Sequence, residues 1–153
     1  MSVFDGHAGW LMFPNKPLRE MHDADLAAAR IDADLHFALH IQQMFPDLRV
    51  QYSEKVAGRD AYVLLGTQSG QPPTQFCFDK QSGLLVRMVR HADSPLGLNP
   101  SQVDYADYRA VDGVEVPFRV TVSEPGSSWT IQVEQVQQNV AIDDARFVKP
   151  VQR

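Results

Sequence analysis

Short runs in which apolar and polar residues alternate, separated by turn residues, constrain the fold of this chain more than any other feature. In the run over residues 114–122, the apolar side chains of one face are Val114, Val116, Phe118, Val120 and Val122. Trp129 and Ile131 repeat the pattern. Turn residues such as Asp5-Gly6 and Asp112-Gly113 stand between the runs, where glycine supplies the positive φ of tight hairpins. The pattern predicts an antiparallel sheet with one buried face.

Residues 22–45 differ, because they contain no turn signal and are rich in helix-favouring alanine and leucine. The apolar spacing defines no single stripe, so one helix with a broad apolar surface and two short helices meeting near Asp32-Ala33-Asp34 both fit. Asp23 is the predicted N-cap, since its carboxylate can accept from free amides of the first turn. Pro46 is predicted to end the helix, because the residue before a proline is pushed out of the α region.

Together these elements predict an α+β fold: a curved antiparallel sheet of about seven strands wrapped around one or two helices. No strand–helix–strand alternation follows residue 50, which argues against a parallel sheet. The length of 153 residues predicts a single domain over residues 1–153. The hairpin turn at Asp5-Gly6 has only four residues before it, so an unpaired strand edge is expected near the N-terminus. Such an edge favours a homodimer.

Composition excludes several function classes. The net charge of −5 argues against nucleic-acid binding, which needs clustered Lys and Arg. No apolar run reaches the roughly 18–20 residues of a membrane span. The N-terminus has neither the basic start nor the apolar stretch of a secretory signal. We therefore expect either a protein that stays inside the cell or a mature or excised piece of a longer one.

Three stretches resemble a known family. Residues 76–87 read FCFDKQSGLLVR and resemble the FD-x-x-[ST]-G-L-L-x-R hairpin of LolA-like lipoprotein-carrier domains. Residues 105–118, which run from YADYR through VDGV to PF, are similar to the same family. So are residues 5–10, DGHAGW, which match its DG-x-x-x-W turn and strand.

The resemblance implies an incomplete half-barrel around helices, with an apolar interior that in some members holds the acyl chains of lipoproteins. It also implies a periplasmic or cell-envelope location. Related domains occur fused to c-type cytochrome segments in exported bacterial proteins. Against the family pattern, this chain is expected to lack the first strands.

Candidate chemistry is sparse. Asp32, His36 and His40 are spaced by four and would share one helix face, but a solvated polar face is the favoured interpretation over a metal site. Cys77 is the single cysteine, and its place between two phenylalanines indicates an inert strand thiol. Residues 66–70 followed by Gln71-Pro72-Pro73 are interpreted as a loop of turn residues, not a phosphate cradle.

The charged residues have simpler interpretations. Asp107 and Arg109 should point to one side of a strand as a surface ion pair, with Asp104 on the other side. Arg87, Arg90 and His91 form a small basic cluster. Ordinary surface charge is favoured as its interpretation over a site for an anionic headgroup. We therefore predict no catalytic residue, no metal, no cofactor and no enzymatic activity.

The remaining candidate is an apolar binding face rich in aromatic and methionine side chains, which adapt to variable ligands. Its predicted members are Trp10, Met12, Phe37, Phe45, Phe76, Phe78, Met88, Phe118, Val120, Trp129 and Ile131. Core packing alone would also explain these residues. The predicted function is a non-enzymatic binding domain for a lipid or a lipoprotein acyl chain. The alternative is a structural or partner-binding accessory domain of an exported redox protein of the cytochrome type.

Overall fold

The computed structural model describes residues 1–68, 71–94 and 97–151. The chain divides into two compact units. The first contains residues 1–41 and 139–153, and the second contains residues 42–138.

A small antiparallel sheet lies in the first unit, with the strand order β1-β2-β3. Its strands are β1 (Ser2–Phe4), β2 (Gly9–Leu11) and β3 (Arg19–Glu20). In the β1–β2 turn, the Asp5 carboxylate accepts hydrogen bonds from the backbone N–H groups of His7 and Ala8, both at 2.7 Å. The predicted hairpin at Asp5-Gly6 is confirmed, although its strands belong to this separate sheet and not to the main one.

Two helices replace the single helical segment. They are α1 (Asp23–Ala33) and α2 (Phe37–Met44). Asp23 is not the N-cap: His22 holds that position without a side-chain hydrogen bond, and Asp23 is the first helical residue with φ of 42°. An acidic residue in the first turn still interacts favourably with the helix dipole. The end of α2 at Met44 agrees with the predicted effect of Pro46.

The break between the helices is caused by Asp34. Its carboxylate accepts from the backbone N–H of His36 at 2.8 Å and contacts Nδ1 of His40 at 2.8 Å. A short polar side chain that bonds nearby backbone groups competes with the helical ladder. The two-helix alternative is therefore correct, with the junction at residues 34–36.

The second unit contains an antiparallel sheet of seven strands in sequential order from β4 to β10. The strands are β4 (Arg49–Val56), β5 (Arg59–Gln68), β6 (Gln71–Asp79), β7 (Leu85–Ser94), β8 (Gly97–Val111), β9 (Val114–Glu124) and β10 (Ser127–Gln132). β4 and β10 are its two edges, so the sheet does not close. A short 3-10 helix follows at Asp144–Arg146. The predicted α+β class with an open antiparallel sheet is confirmed.

Tight turns join neighbouring strands where the sequence predicts them. Ala57 and Gly58 connect β4 to β5, and Asp112 and Gly113 connect β8 to β9. All four have positive φ, between 48° and 82°. Two consecutive residues with positive φ match the twist of the flanking strands, which is why glycine is favoured at the second position.

The β6–β7 turn is organised by Asp79, whose side chain is buried. Its Oδ1 accepts from the backbone N–H groups of Gln81 and Ser82 at 2.9 and 2.8 Å and from the Ser82 hydroxyl at 3.0 Å. Its Oδ2 pairs with Nε of Arg59 at 2.7 Å. These contacts, led by the Ser82 N–H bond, lower the pKa of the Asp79 carboxyl below its ordinary value. The FD-x-x-S-G motif is therefore a turn-forming motif.

Asp79→Asn is expected to remove a pH-dependent part of the stability. In the unfolded chain Asp79 takes up its proton near pH 3.8, but in the folded chain only at lower pH. The unfolded state then binds more protons between these values, so the contribution is fully present at neutral pH and is lost as the pH falls. Urea unfolding at a series of pH values should show the wild type more stable than Asp79→Asn at neutral pH, with a gap that narrows in acid.

Asp60→Asn is the matched control, because Asp60 is exposed and pairs with Lys55 at 3.0 Å on the surface. Its curve should run close to that of the wild type. A gap between wild type and Asp79→Asn that stays constant down to acid pH would contradict the assigned role of the Asp79 charge.

The predicted loop over residues 66–73 is wrong in the part that the structure describes. Gly66 lies inside β5, and Pro72 and Pro73 lie at the start of β6. Residues 69 and 70 are outside the described residues. Proline is tolerated here because the pairing of β6 with β7 begins only at Gln75, so this end of β6 is locally an edge where no N–H is needed.

Candidate functional site

One face of the seven-stranded sheet carries an unbroken row of apolar side chains, one from each strand. Directly paired residues of antiparallel strands lie on the same face. Following the register from β4 to β10 gives the row Val50, Leu64, Phe76, Met88, Val103, Val122 and Trp129. We call this side of the sheet the apolar face.

A neighbouring set of residues widens the row. Phe78 pairs with Tyr62, and Val120 pairs with both Tyr105 and Ile131. Phe118 lies two positions before Val120 on β9 and so shares its face. The predicted residues that the register places together on the apolar face are Phe76, Phe78, Met88, Phe118, Val120, Trp129 and Ile131.

Phe45 also reaches this face. Its ring meets the ring of Phe76 edge-on with the centroids 5.0 Å apart, and both side chains are buried. The chain before it is fixed by Gln68, whose side-chain amide donates to the Met44 carbonyl at 2.9 Å. Gly66 makes room for the Phe45 ring, since a Cβ at that position would lie 2.7 Å from Cδ1 of Phe45.

Burial on the apolar face falls from Phe76 toward β10. Phe76 is 0% exposed and Met88 2%, whereas Val120 and Val122 on β9 are half-buried. Trp129 is 46% exposed and Ile131 51%. We call Val120, Val122, Trp129 and Ile131 the open end of the apolar face. Hydrocarbon is exposed at this end, whereas Phe45 covers Phe76 in the middle of the row, and Val50 at the β4 edge is again exposed.

The other three predicted site residues belong to the first unit. Trp10 is buried in β2, Met12 is half-buried just after that strand, and Phe37 is the half-buried first residue of α2. The backbone N–H of Met12 donates to the carbonyl of Met1 at 2.8 Å. The apolar face is therefore defined by residues of the second unit alone.

Six residues that the register places on the apolar face are not among the predicted site residues: Val50, Tyr62, Leu64, Val103, Tyr105 and Val122. Val122 was assigned correctly to the apolar side of its strand but not to the site. In β5, Val63, Leu64 and Leu65 are consecutive apolar residues, so alternation does not show which of them lies on this face. Val103 and Tyr105 alternate with Asp104 in β8, and the register counted from the Asp112-Gly113 turn places both on the apolar face. Aromatic and methionine content was too narrow a criterion, because aliphatic residues complete the row.

The Asp107–Arg109 pair borders the apolar face at Phe118. Nη2 of Arg109 lies 2.6 Å from Oδ2 of Asp107, as the sequence predicts, and lowers the pKa of that carboxyl. The guanidinium carbon of Arg109 lies 4.4 Å from the centre of the Phe118 ring. One side of this ring is thus covered by a cation, and the hydrocarbon surface ends there.

On the opposite face of the sheet, polar side chains form hydrogen bonds and an ion pair with one another. Nε of Arg87 pairs with Asp104 at 2.6 Å, and the Gln102 amide donates to the same carboxylate at 2.7 Å. Arg87 is therefore a mid-strand ion-pair partner. The hydroxyls of Thr121 and Thr130 are 3.0 Å apart.

Cys77 lies on this opposite face, in register with Val63 and Arg87. Its placement opposite to Phe76 agrees with the sequence prediction. The thiol is fully buried and packs in an apolar cluster of Val56, Ala61, Val63, Cys77 and Val86. Burial raises the pKa of the Cys77 thiol, which keeps it protonated and unreactive.

Asp32, His36 and His40 do not adopt the arrangement on one helix face that a metal site would need. Asp32 lies in α1, His36 lies between the two helices and His40 lies in α2. The three residues therefore do not share one helix face. The His36 and His40 ring centres are 6.1 Å apart, and it is Asp34 that contacts His40. Across the described part of the chain, no three His, Cys, Asp or Glu side chains come together in a group that would hold a metal ion.

Neither α1 nor α2 has the length and apolarity of a membrane-spanning helix, among the residues that the structure describes. No protein-family model and no curated protein matches the chain.

Solved structures do match. A domain from Vibrio parahaemolyticus that is described as an outer membrane lipoprotein-sorting protein domain aligns over 92% of this chain and 63% of its own length, with 14% identity and a TM-score of 0.58. A DUF1329 family protein from Desulfovibrio piger aligns over 92% of this chain and 62% of its own, with 20% identity and a TM-score of 0.59.

A LolA superfamily protein from Nitrosomonas europaea aligns over 94% of this chain and 67% of its own, with 13% identity and a TM-score of 0.52. The chain spans less than two thirds of the length of the Vibrio and Desulfovibrio proteins. At these identities the likeness concerns the fold. The chain therefore has a LolA-like fold.

Proposed function

We propose that this protein is a non-enzymatic binding domain that holds the acyl chain of a lipid or lipoprotein on the open end of its apolar face. The observation that carries the proposal is the contiguous, partly exposed hydrocarbon surface of Val120, Val122, Trp129 and Ile131. Each methylene that such a surface removes from water contributes about 0.8 kcal/mol. A long chain is therefore held without a specific polar contact.

The fold supports the same proposal. One structural neighbour is described as an outer membrane lipoprotein-sorting domain and another as a LolA superfamily protein. The polar groups of the opposite face pair with one another, and the single thiol is buried and protonated. The open end of the apolar face is the hydrocarbon surface to which the proposal assigns the ligand. A cell-envelope location, where acyl chains must cross water, fits this role.

The first test asks whether a hydrocarbon ligand binds at all. We expect solvent extraction of the purified protein followed by mass spectrometry to release co-purified lipid. Addition of a long-chain saturated fatty acid should raise the melting temperature, because a ligand that binds only the folded state stabilises it by mass action. Absence of both would contradict the carrier function and favour an accessory domain with a filled core.

A pair of variants on β9 locates the site. Val122→Lys places an ammonium on the apolar face, and a bound acyl chain would have to desolvate this ammonium. The substitution should therefore weaken fatty-acid binding about tenfold or more. Thr121→Lys, one residue away on the opposite face, should bind like the wild type. Equal loss or equal retention in the two variants would contradict this placement of the ligand.

A further inference from the structure

The edge strand β10 has none of the features with which exposed strand edges are normally protected. It pairs with β9 alone, and all six of its residues are exposed. Its sequence, SSWTIQ, has no charge and no proline, and its register to β9 runs from Ser127 to Gln132 without a shift. The other edge, β4, carries Arg49, Glu54 and Lys55 and a register shift after Val50. Charges and bulges block edge pairing, so β4 is protected and β10 is open.

The hydrogen bonds between β10 and β9 determine which backbone groups of β10 point away from the sheet. The N–H of Val133, in register just beyond β10, donates to the Phe118 carbonyl at 2.8 Å. In an antiparallel ladder, hydrogen-bonded and non-bonded pairs alternate. Trp129 and Ile131 therefore direct their N–H and C=O groups to β9. Ser128, Thr130 and Gln132 direct theirs away from the sheet.

We propose that a second copy of this chain pairs with this edge, β10 against β10 in antiparallel orientation, around a two-fold axis at Thr130. Thr130 then lies opposite its own symmetry mate, and Ser128 lies opposite Gln132. All three outward-facing residues on each strand exchange backbone hydrogen bonds with the other copy. A contact that uses the same surface on both partners closes on itself and gives a dimer.

Side-chain chemistry selects this register. Directly opposed residues of an antiparallel pair lie on the same face of the sheet. The two-fold axis must therefore place Trp129 opposite a residue from the same face of β10. Centring on Thr130 places Trp129 opposite Ile131, which gives two apolar pairs. Centring on Trp129 would leave Ile131 opposite Ser127 and use fewer outward-facing backbone groups. Because SSWTIQ carries no charge, no like charges meet across the strands.

This dimer does not rest on the proposed ligand. It would join the apolar faces of two copies into one surface across fourteen strands, twice the seven of one chain. Fatty-acid binding and dimerisation are measured separately, so either can fail alone.

Charge substitution at the axis tests the proposal. The mass from sedimentation equilibrium should rise with concentration from the 17.2 kDa of one chain to twice that value. Thr130→Lys and Thr130→Glu each place like charges opposite one another and should weaken the dimer about tenfold or more. Mixing the two variants in equal amounts should restore it, because opposite charges then meet at the axis. Thr130→Ala, which keeps the backbone N–H, should dimerise like the wild type.

Two results would overturn the proposal. One is a wild type that stays at the mass of one chain up to its solubility limit. The other is a dimer that neither charged variant weakens, which would place the contact on another surface. Circular dichroism of each variant shows whether it is folded, and rescue by mixing is a readout that misfolded variants would not give.

Discussion

Replacing Phe76 by alanine is expected to lower the free energy of unfolding by about 3–5 kcal/mol. The Phe76 side chain is 0% exposed, lies between Leu64 and Met88 in the register, and meets the edge of the Phe45 ring at 5.0 Å. Alanine would lose the transfer free energy of the ring and leave a cavity that strand backbones on both sides cannot fill. Urea unfolding monitored by circular dichroism measures this loss.

Tyr52→Ala is the control for the loss of an aromatic ring from the same sheet. Tyr52 lies on β4 and is half in water, so its removal should cost about 1 kcal/mol or less. If Phe76→Ala cost no more than Tyr52→Ala, Phe76 would not be the packed centre of the apolar face.

Gly66→Ala is expected to destabilise the protein by roughly 1–3 kcal/mol, although one methyl group is all that it adds. The new Cβ would lie 2.7 Å from Cδ1, 2.8 Å from Cγ and 3.0 Å from Cβ of Phe45. These atoms include the root of the ring, which cannot swing aside while the ring stays packed on Phe76. Elsewhere in a strand, alanine is favoured over glycine because glycine loses more conformational freedom on folding.

The matched test is a double-mutant cycle with Phe45→Ala. When the ring is absent, Gly66→Ala should become neutral or stabilising, because the space is free and the entropic benefit remains. The four free energies of unfolding come from the same urea titrations. A cost of Gly66→Ala that is unchanged in the Phe45→Ala background would show that the contact between Gly66 and Phe45 does not limit the packing.

Hairpins and the apolar parity of β9 could be predicted from the sequence because the information is local. Period-two alternation identifies the face of a strand, and Asp112-Gly113 identifies the turn that precedes it. The two-helix alternative was also available, because Asp34 carries a side chain that competes with the helical ladder. In each case the deciding interaction lies within a few residues.

The misassigned parts depend on long-range contacts. Glycine is common in turns, so Gly66 is typical of a loop, yet it lies in β5, and the ring of Phe45, twenty-one positions away, leaves no room for a Cβ there. Proline in β6 is tolerated because β7 does not pair with that end. Membership of Leu64 in the apolar face depends on the ladders of β5 with β4 and with β6, and both contain register shifts that the sequence does not indicate.

The two faces of the sheet differ in their chemistry: polar side chains pair with one another on one face, and apolar side chains are partly exposed on the other. On the opposite face, Arg87, Asp104 and Gln102 bind one another, and Thr121 bonds Thr130. On the apolar face, burial is complete at Phe76 and incomplete at Trp129. Under the proposed function, a ligand would remove the open end of the apolar face from water.

Fluorescence of Trp129 tests this central claim most directly. The chain has two tryptophans, so Trp10→Phe leaves Trp129 as the only tryptophan, which is excited selectively at wavelengths that tyrosine does not absorb. Titration with a fatty acid brominated along its chain should quench this emission to saturation, since bromine quenches at contact, whereas the same acid without bromine should not. Val122→Lys added to Trp10→Phe should shift the quenching to about tenfold higher fatty-acid concentration or more. Emission from Trp129 that stays unchanged while the melting temperature rises would place the ligand elsewhere and contradict the account.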